Sequence, residues 1–166
     1  GIFAIGDTIY TGSKRISYPN IPSFSPEVFA YITNPSPATY KKYNKGISEL
    51  LDEGAVQLLR ERGDGGREIL AAVGQLQFEV VQYRLQMEYG CESKLEPLSY
   101  TAARWVEGGW DIVIEKEREG KLYGVLIVQD RWGRPVLLFR NPWKVSQLTE
   151  EEASLHMEPW SMPPSE

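Results

Sequence analysis

Cysteine and histidine are nearly absent from the sequence. Its 166 residues contain one cysteine, Cys91, and one histidine, His156. An internal disulfide needs two cysteines, and a structural zinc site normally takes about four Cys or His ligands, so neither can form within this chain. A chain so poor in cysteine is typical of the reducing cytoplasm, where we expect this protein to act.

Three further signals are missing from the sequence. No apolar run approaches the roughly 20 residues of a membrane-spanning helix, and residues 1–10 lack the regions of a secretory signal. No Gly-x-x-x-x-Gly-Lys-Ser/Thr motif is present to hold a nucleotide phosphate. We therefore expect no membrane partner, no catalytic residue, no cofactor-binding residue and no metal ligand here. Because the first residue is Gly1, we also expect a piece of a longer protein.

Charge is distributed unevenly along the chain. The net charge is −5, every lysine and arginine precedes residue 150, and segment 150–166 adds only acids. The body is thus near neutral and lacks the broad basic surface of a stand-alone DNA-binding domain, so we expect no DNA partner. With 42% hydrophobic and 25% charged residues, the composition is that of a folded globular protein.

Residues 25–100 have the pattern of a ferredoxin-like βαββαβ sandwich, in which two helices cover one face of an antiparallel sheet. Segment 75–89 carries two apolar stripes at helical spacing, and we predict that this wide face packs on the sheet. Segment 37–54 is also predicted to be helical, with Ser36 as its N-cap. Strands are predicted at 27–33, 55–60, 68–73 and 92–98.

The two ends of the chain are predicted to differ from this module. Residues 1–24 are predicted to be two strands around a Gly6-Asp7 turn, followed by a proline-rich linker. Residues 101–160 are predicted to be a β-rich extension, and 161–166 a disordered tail. In this extension we predict strands at 102–106, 110–115, 122–129 and 135–140, and a helix over 148–155 that is capped by Thr149.

Two side-chain clusters have alternative explanations. The arginines of the central hairpin and second helix can contact phosphates, or they can pair with acids nearby. The tryptophans near the C-terminus can fill a core or anchor an interface. The arginines are Arg60, Arg62, Arg67 and Arg84, with Glu61, Glu68, Glu79 and Glu88 as candidate partners, and the tryptophans are Trp105, Trp110, Trp132 and Trp143.

Several motifs together have a family resemblance. They are Phe24-Ser25-Pro26-Glu27, Glu53-Gly54-Ala55-Val56-Gln57, Ala72-Val73-Gly74-Gln75-Leu76-Gln77-Phe78-Glu79, Tyr83-Arg84-Leu85 and Tyr100-x-x-Ala103-Arg104-Trp105. With these motifs together, residues 24–106 resemble the third domain of the bacterial peptide chain release factor 3 family. The members of that family are translational GTPases. Residues 3–8 are similar to the last strands of that family's β-barrel second domain, and residues 107–160 resemble its C-terminal part more loosely.

The resemblance implies a non-catalytic domain that docks on the ribosome and helps to recycle stop-codon-reading release factors. GTP or GDP with magnesium would belong to the GTPase domain outside this chain. The implied partners are small-subunit ribosomal protein and ribosomal RNA, together with the protein's own GTPase and β-barrel domains. We expect exposed residues of segment 41–45 and of the arginine hairpin to make the ribosome contact, namely Lys41, Lys42, Lys45, Arg60, Arg62 and Arg67.

Two other functions fit the same fold class. A ferredoxin-like module that binds a small effector would need a pocket with convergent polar groups. A protein–protein adapter that uses the tryptophan-rich extension would need an exposed apolar patch.

Overall fold

Eight strands of the described chain form one antiparallel sheet, and four α-helices pack against it. The computed structural model describes residues 7–14, 16, 18, 21–161 and 163. The strands are β1 (Val28–Thr33), β2 (Gln57–Glu61), β3 (Glu68–Ala72), β4 (Lys94–Leu98), β5 (Ala102–Val106), β6 (Leu126–Asp130), β7 (Pro135–Phe139) and β8 (Met157–Glu158). The helices are α1 (Tyr40–Asp52), α2 (Gln75–Tyr89), α3 (Gly109–Arg118) and α4 (Pro142–Glu151), with 3-10 turns at Pro37–Thr39 and Ala153–Leu155.

The strand order shows that the same arrangement occurs twice. The sheet runs β4-β1-β3-β2-β6-β7-β5-β8. The first half, β1-α1-β2-β3-α2-β4, is the predicted ferredoxin-like module. The second half, β5-α3-β6-β7-α4-β8, has the same order of elements. Its strands also pair in the same order, since β8-β5-β7-β6 corresponds to β4-β1-β3-β2. The α+β, ferredoxin-like fold class is therefore confirmed, while the boundaries at residues 24, 100 and 160 stay predictions.

The two halves meet at the β2–β6 pair and share a core. The pair is antiparallel, with Leu59 opposite Asp130 and Arg60 opposite Gln129. One apolar cluster joins residues of the first half, such as Phe29 and Ile69, to residues of the second half, such as Trp105 and Leu138. In each half-sheet, the face that carries no helix therefore packs against the corresponding face of the other half-sheet.

The helices cover the outer faces of the half-sheets. In the first half, Phe78 and Leu85 of α2 and Ile47 of α1 pack over Leu70. In the second half, Val113 of α3 and Leu148 of α4 pack over Leu137 and Phe139. Because each half buries one face under its helices and the other against its neighbour, its central strands are buried on both faces.

Helix α2 has the predicted bounds, but its apolar residues do not share one face. Gly74 precedes its first residue and Gly90 ends it in the left-handed conformation at φ 64°. Phe78, Val81 and Leu85 are buried on the sheet. The prediction that both stripes pack there is wrong, because the second stripe lies on the opposite side of the helix. That stripe consists of Leu76, Val80, Tyr83 and Met87, all exposed.

The predicted strand at 110–115 is wrong, since these residues belong to α3. The run Trp110-Asp111-Ile112-Val113-Ile114 has the β-branched content of a strand, but Val113 is fully buried while its neighbours turn away around a helix. An acid, Asp111, lies in the first turn, and Lys116 and Arg118 lie in the last turn. These charges match the helix dipole, which stabilises the helix.

The last predicted helix begins earlier than the sequence suggested. Helix α4 starts at Pro142, and the Asn141 side chain caps it by accepting a hydrogen bond from the Lys144 N–H at 2.9 Å. Thr149, the predicted N-cap, lies inside the helix and donates to the Val145 carbonyl. The strand predicted from residue 122 begins at Leu126, because a turn closed by Val125 N and Leu122 O precedes it.

A short bridge joins the segment before β1 to the segment after β8. Ser23 forms an isolated β-bridge with Ser161, where the disordered tail was predicted to begin. Ser161 is buried, so that prediction is wrong at this residue, because the bridge and a 2.6 Å hydrogen bond from Arg134 hold it. Residues 2–5 of the predicted N-terminal strands, and 162 and 164–166 of the tail, lie outside the described residues. Residues 8–10 are described and form no strand.

Candidate functional site

The structure brings the two predicted basic segments to one end of the first half. Strand β1 ends at Thr33, which lies opposite Lys94, the first residue of β4. Helix α1 begins just after this point. Because β3 runs antiparallel to β1, the β2–β3 hairpin lies at the same end. We call this surface the basic end and define it by Lys41, Lys42, Lys45, Lys94, Arg60, Arg62 and Arg67.

A compact turn fixes the start of α1 beside β1. The Asn34 carboxamide oxygen accepts hydrogen bonds from the Ser36 N–H at 3.1 Å and from the Thr39 hydroxyl at 3.2 Å. This Asx-type turn carries the chain directly from the strand into the 3-10 turn and then into α1. The first helical residues are thereby held at the edge of the sheet.

The lysines of the basic end are exposed and largely unpaired. Lys41, Lys42 and Lys94 are exposed, and no carboxylate pairs with them within the part of the chain that the structure describes. Lys45 lies 3.8 Å from Glu49 in a solvent-exposed pair, which is worth little.

Lysines in the first turn of α1 lower the stability of the helix. The amino end of a helix carries partial positive charge, so Lys41 and Lys42 are unfavourable there by about 0.3–1 kcal/mol each. No acid lies in the first turn of α1 to offset them. The lysine ammonium groups and the helix end instead add to one positive field, which favours a bound anion.

The arginines of the basic end differ from the lysines because each has a carboxylate partner. Arg60 pairs across the hairpin with Glu68 at 2.7 Å, and Arg62 pairs with Glu117 of α3 at 2.8 Å. Pairs this exposed contribute about 0–1 kcal/mol each to stability. They nevertheless neutralise the arginine charge locally, which lowers its attraction for a phosphate.

Arg67 is the most constrained of the three. Its guanidinium pairs with Glu96 of β4 at 2.7 Å and lies 3.5 Å from the centre of the Tyr31 ring. The hydrogen bond to Glu96 raises the pKa of Arg67 above its ordinary value. Tyr31 in turn donates a hydrogen bond to Glu61, which, with burial, raises the pKa of the tyrosine to about 12.

Arg84, the fourth predicted arginine, lies on α2 away from this hairpin. It binds Glu88 on its own helix and Glu53 after α1, and both hydrogen bonds raise its pKa. The alternative prediction of acid pairing is thus confirmed for Glu68 and Glu88. It is wrong for the other two candidate acids, since Glu96 and Glu117, which are distant in sequence, take their place.

Sequence reasoning missed Lys94 and the role of Asp130. Lys94 looked like an ordinary strand residue, and only the β1–β4 register brings it beside Thr33. Asp130 is buried and accepts hydrogen bonds from the Trp105 indole, from the Trp132 and Arg134 N–H groups, and from the Arg134 guanidinium. Only the fold brings these donors, which come from β5 and from the β6–β7 turn, to one carboxylate.

The tryptophans do not form one cluster. Trp105 is buried in the core between the halves, and Trp110 is half-buried and donates to the Gly133 carbonyl. Trp132 is 40% exposed and Trp143 is 70% exposed. Core filling therefore describes Trp105 but not Trp143.

A groove of about 560 Å³ lies between the N-terminal segment, the end of α1 and the β6–β7 turn. Its lining is mostly apolar and includes Phe24, Val56 and Val73. Several of its polar side chains already have partners in the protein: Gln57 donates to the Phe24 carbonyl, and Asp52 pairs with Arg131. This arrangement does not match the convergent polar groups that a small-effector site needs.

The described residues contain neither a metal-binding group nor a membrane-spanning helix. Among them, no group of three or more His, Cys, Asp or Glu side chains is arranged to hold a metal ion. No helix in the same residues is long and apolar enough to cross a membrane.

Comparisons with known proteins agree with this fold. Residues 18–149 match the family described as class II release factor RF3, C-terminal domain. The chain is 56% identical over 158 residues to peptide chain release factor 3 of Synechococcus elongatus and 57% identical over 158 residues to that of Microcystis aeruginosa. It is 54% identical over 166 residues to that of Synechocystis sp..

The matches cover nearly all of this chain but a minor part of the relatives. They include 95% of the chain for the first two relatives and 99% for the third, yet only 28% and 30% of the relatives' own lengths. Because the family match spans residues 18–149, including all of the first half, the chain belongs to the family of class II release factor RF3 C-terminal domains.

Proposed function

We propose that this chain is the ribosome-docking domain of a translation termination factor and that its basic end contacts ribosomal RNA. In this proposal the domain has no catalytic residue, and it acts in the cytoplasm. Guanine nucleotide and magnesium bind to a separate GTPase domain. The observation that carries the proposal is that two lysines in the first turn of α1, Lys41 and Lys42, have no carboxylate partner within the described ranges of the chain.

The chemistry of the basic end suits a phosphate backbone. Lys41 and Lys42 weaken α1 slightly, so they are not explained by the stability of the helix. Together with Lys94 they present ammonium groups near the positive end of the α1 dipole, a combination that favours phosphate oxygens. Tyr40, which is 61% exposed next to them, offers an aromatic face for base stacking.

The architecture supports a mechanical role in recycling the release factors that read stop codons. Both halves share one sheet and one internal apolar cluster, so a force applied at the basic end is transmitted through the whole domain. A rigid domain of this kind can couple the nucleotide state of a GTPase domain to the ribosome, provided that its contacts differ between two states.

The direct test uses a full-length relative in which the C-terminal domain is replaced by this chain. The double variant Lys41→Glu, Lys42→Glu is compared with Arg118→Glu, Lys144→Glu, which changes charge equally in the second half. Ribosome binding is measured between 50 and 200 mM salt, the range in which phosphate contacts are strongly weakened. We expect only the α1 variant to bind more weakly, with a salt slope reduced by about 1 per lost lysine contact.

The predicted arginines provide a graded comparison. Reversing the charge of two arginines, Arg60 and Arg67, changes the charge as much as reversing the two lysines. It should weaken binding less, because these guanidinium groups are already bound to carboxylates and are less available for phosphate contacts. Unchanged binding of the lysine variant at every salt concentration would refute the proposal. Equal losses for the α1 variant and for the second-half control would also refute it.

A further inference from the structure

The exposed side of α2 has the organisation of an interface. Leu76, Val80, Tyr83 and Met87 follow each other at alternating steps of four and three residues, which aligns them along one face. Their exposed fractions are 70%, 45%, 66% and 65%, and Val73, just before the helix, is 46% exposed. We call these five residues the α2 stripe. A contiguous apolar surface of this kind is typical of a docking site.

The second half shows that the fold does not require the stripe. The buried residues Phe78 and Val81 of α2 can be aligned with Val145 and Leu148 of α4, which assigns a counterpart in α4 to each outward-facing residue of α2. The counterparts of Leu76, Val80 and Tyr83 are then Trp143, Gln147 and Glu150. The same helix position is therefore built with two polar residues in one half and with an unbroken apolar row in the other. The row is thus not a requirement of packing within the domain.

The path of the N-terminal segment indicates what covers the stripe. Ser23 is held by its bridge to Ser161, and the Phe24 carbonyl accepts a hydrogen bond from Gln57. Ile21 and Phe24, which are 59% and 76% exposed, line the groove together with Val73 and with Gln77 in the first turn of α2. An apolar surface thus extends from the incoming chain to the start of the stripe.

The relatives show how much protein lies outside this chain. The family is defined as a C-terminal domain, and this chain spans less than a third of the relatives' length. In a relative, most of the polypeptide therefore comes before this domain and enters beside the stripe. A tethered neighbour has a high effective concentration at a nearby surface, which favours it over free partners.

We propose that the α2 stripe is an intramolecular docking surface, covered by an apolar face of the polypeptide that precedes residue 18 in the full-length protein. This contact lies on α2 and is separate from the basic end, so it does not rest on ribosome binding. It would fix the orientation of the domain relative to the rest of the protein.

Hydroxyl-radical footprinting of the full-length protein described above tests the proposal in the absence of ribosomes. Met87 and Tyr83 both react readily when exposed, and Tyr123, which is 89% exposed, serves as the internal reference. We expect Met87 and Tyr83 to be protected in the monomer. Leu76→Glu should expose them and raise their oxidation severalfold. Trp143→Glu is the matched control, because Trp143 is equally exposed at the second position of α4, and it should change neither residue.

Every outcome bears on the proposal. If Met87 and Tyr83 oxidise like Tyr123 in the wild-type monomer, the stripe is uncovered and the proposal is wrong. If the two residues are protected only when mass measurements show a dimer, a second copy of the protein covers the stripe. If they are protected only after ribosomes are added, an external partner covers it. Both results overturn the proposal. Because Leu76 lies on the surface, circular dichroism should show an intact fold, and Val80→Glu provides a second variant.

Discussion

Each half of the molecule holds its central hairpin with the same three kinds of residue. In each half, an aromatic residue of the first strand donates to an acid at the hairpin entrance, and the backbone N–H of an arginine at the hairpin exit donates to the same acid. The two sets are Tyr31, Glu61 and Arg67 in the first half, and Trp105, Asp130 and Arg134 in the second. The backbone bonds of Glu61 to Arg67 and of Asp130 to Arg134 confirm that the positions are equivalent.

The two sets differ in burial. Asp130 is 7% exposed and has four hydrogen-bond donors around it, including the Arg134 guanidinium. Glu61 is half-buried and accepts from Arg67 only at the backbone N–H, because the guanidinium of Arg67 pairs with Glu96 instead. A buried charge depends on its partners, since water cannot replace them. The same constellation is therefore a structural requirement in the second half and a surface feature in the first, where Arg67 can be recruited by a partner.

The contacts between the paired helices differ in the same way. In the first half, Gly46 lets α1 approach Leu85 and Tyr89 of α2 closely. The alignment of the two halves places Glu152 at the position of Leu85. Glu152 is 8% exposed and pairs with Lys116 at 3.1 Å and Lys121 at 3.2 Å. At this aligned position the first half has an apolar contact, and the second half has an ionic contact.

The largest expected effect separates the two acids. Asp130→Asn should lower the free energy of unfolding by about 3 kcal/mol, because it leaves the Arg134 guanidinium without its buried carboxylate. Glu61→Gln should cost about 1 kcal/mol or less, because no ion pair within the described chain is lost and water reaches this half-buried side chain. Urea denaturation followed by circular dichroism measures both. Equal losses would contradict the distinction between the halves.

The first half was more predictable than the second because its signals are local. Helix α2 carries its buried residues at helical spacing between Gly74 and Gly90. Helix α3 has a strand-like run of β-branched residues, and its conformation is decided by the need to cross over the sheet between β5 and β6. The repeat itself was not visible, because the two halves use different side chains at corresponding positions.

The sequence could predict where the residues of the candidate site lie, but not which of their charges are neutralised by acids. The lysine and arginine segments flank elements whose order placed them at one end of a ferredoxin-like sheet. The neutralisation of Arg62 and Arg67 depends on Glu117 and Glu96, which approach only through tertiary contacts. Sequence neighbours could not identify these partners.

An intermediate effect is expected at the apolar helix contact. A Cβ added at Gly46 would lie 2.9 Å from the Leu85 and Tyr89 side chains, both of which are packed. Overpacking of this kind costs about 1–3 kcal/mol, and the better helix propensity of alanine returns about 1 kcal/mol. Gly46→Ala should thus destabilise by about 1 kcal/mol, as measured by urea denaturation.

The control for this contact is Ser48→Ala on the exposed side of the same helix. Since no neighbour is crowded there, only the helix propensity changes, and a gain of about 0.5 kcal/mol is expected. A stabilised Gly46→Ala variant would show that α1 and α2 can separate without cost, which would remove the contrast with the ionic contact of the second half.

The ionic contact of the second half should give an effect that depends on pH. Hydrogen bonds from Lys116 and Lys121 lower the pKa of Glu152 below its ordinary value. The stability from this carboxylate is therefore present above the pKa of an unfolded glutamate, about 4.3, and is lost as the pH falls through the lower folded value. Glu152→Gln should be less stable than the wild type at pH 7, and the difference should shrink below about pH 4.

Urea midpoints measured at several pH values for both proteins check this dependence. Gln retains the size of the side chain and one acceptor, so packing at this position changes little. Glu150→Gln is the control, because Glu150 is exposed and the structure shows no cation beside it among the described residues. A constant difference between wild type and Glu152→Gln from pH 7 to pH 3 would mean that shape, not charge, joins α3 to the end of α4. The second half would then close its helix pair by packing, as the first half does.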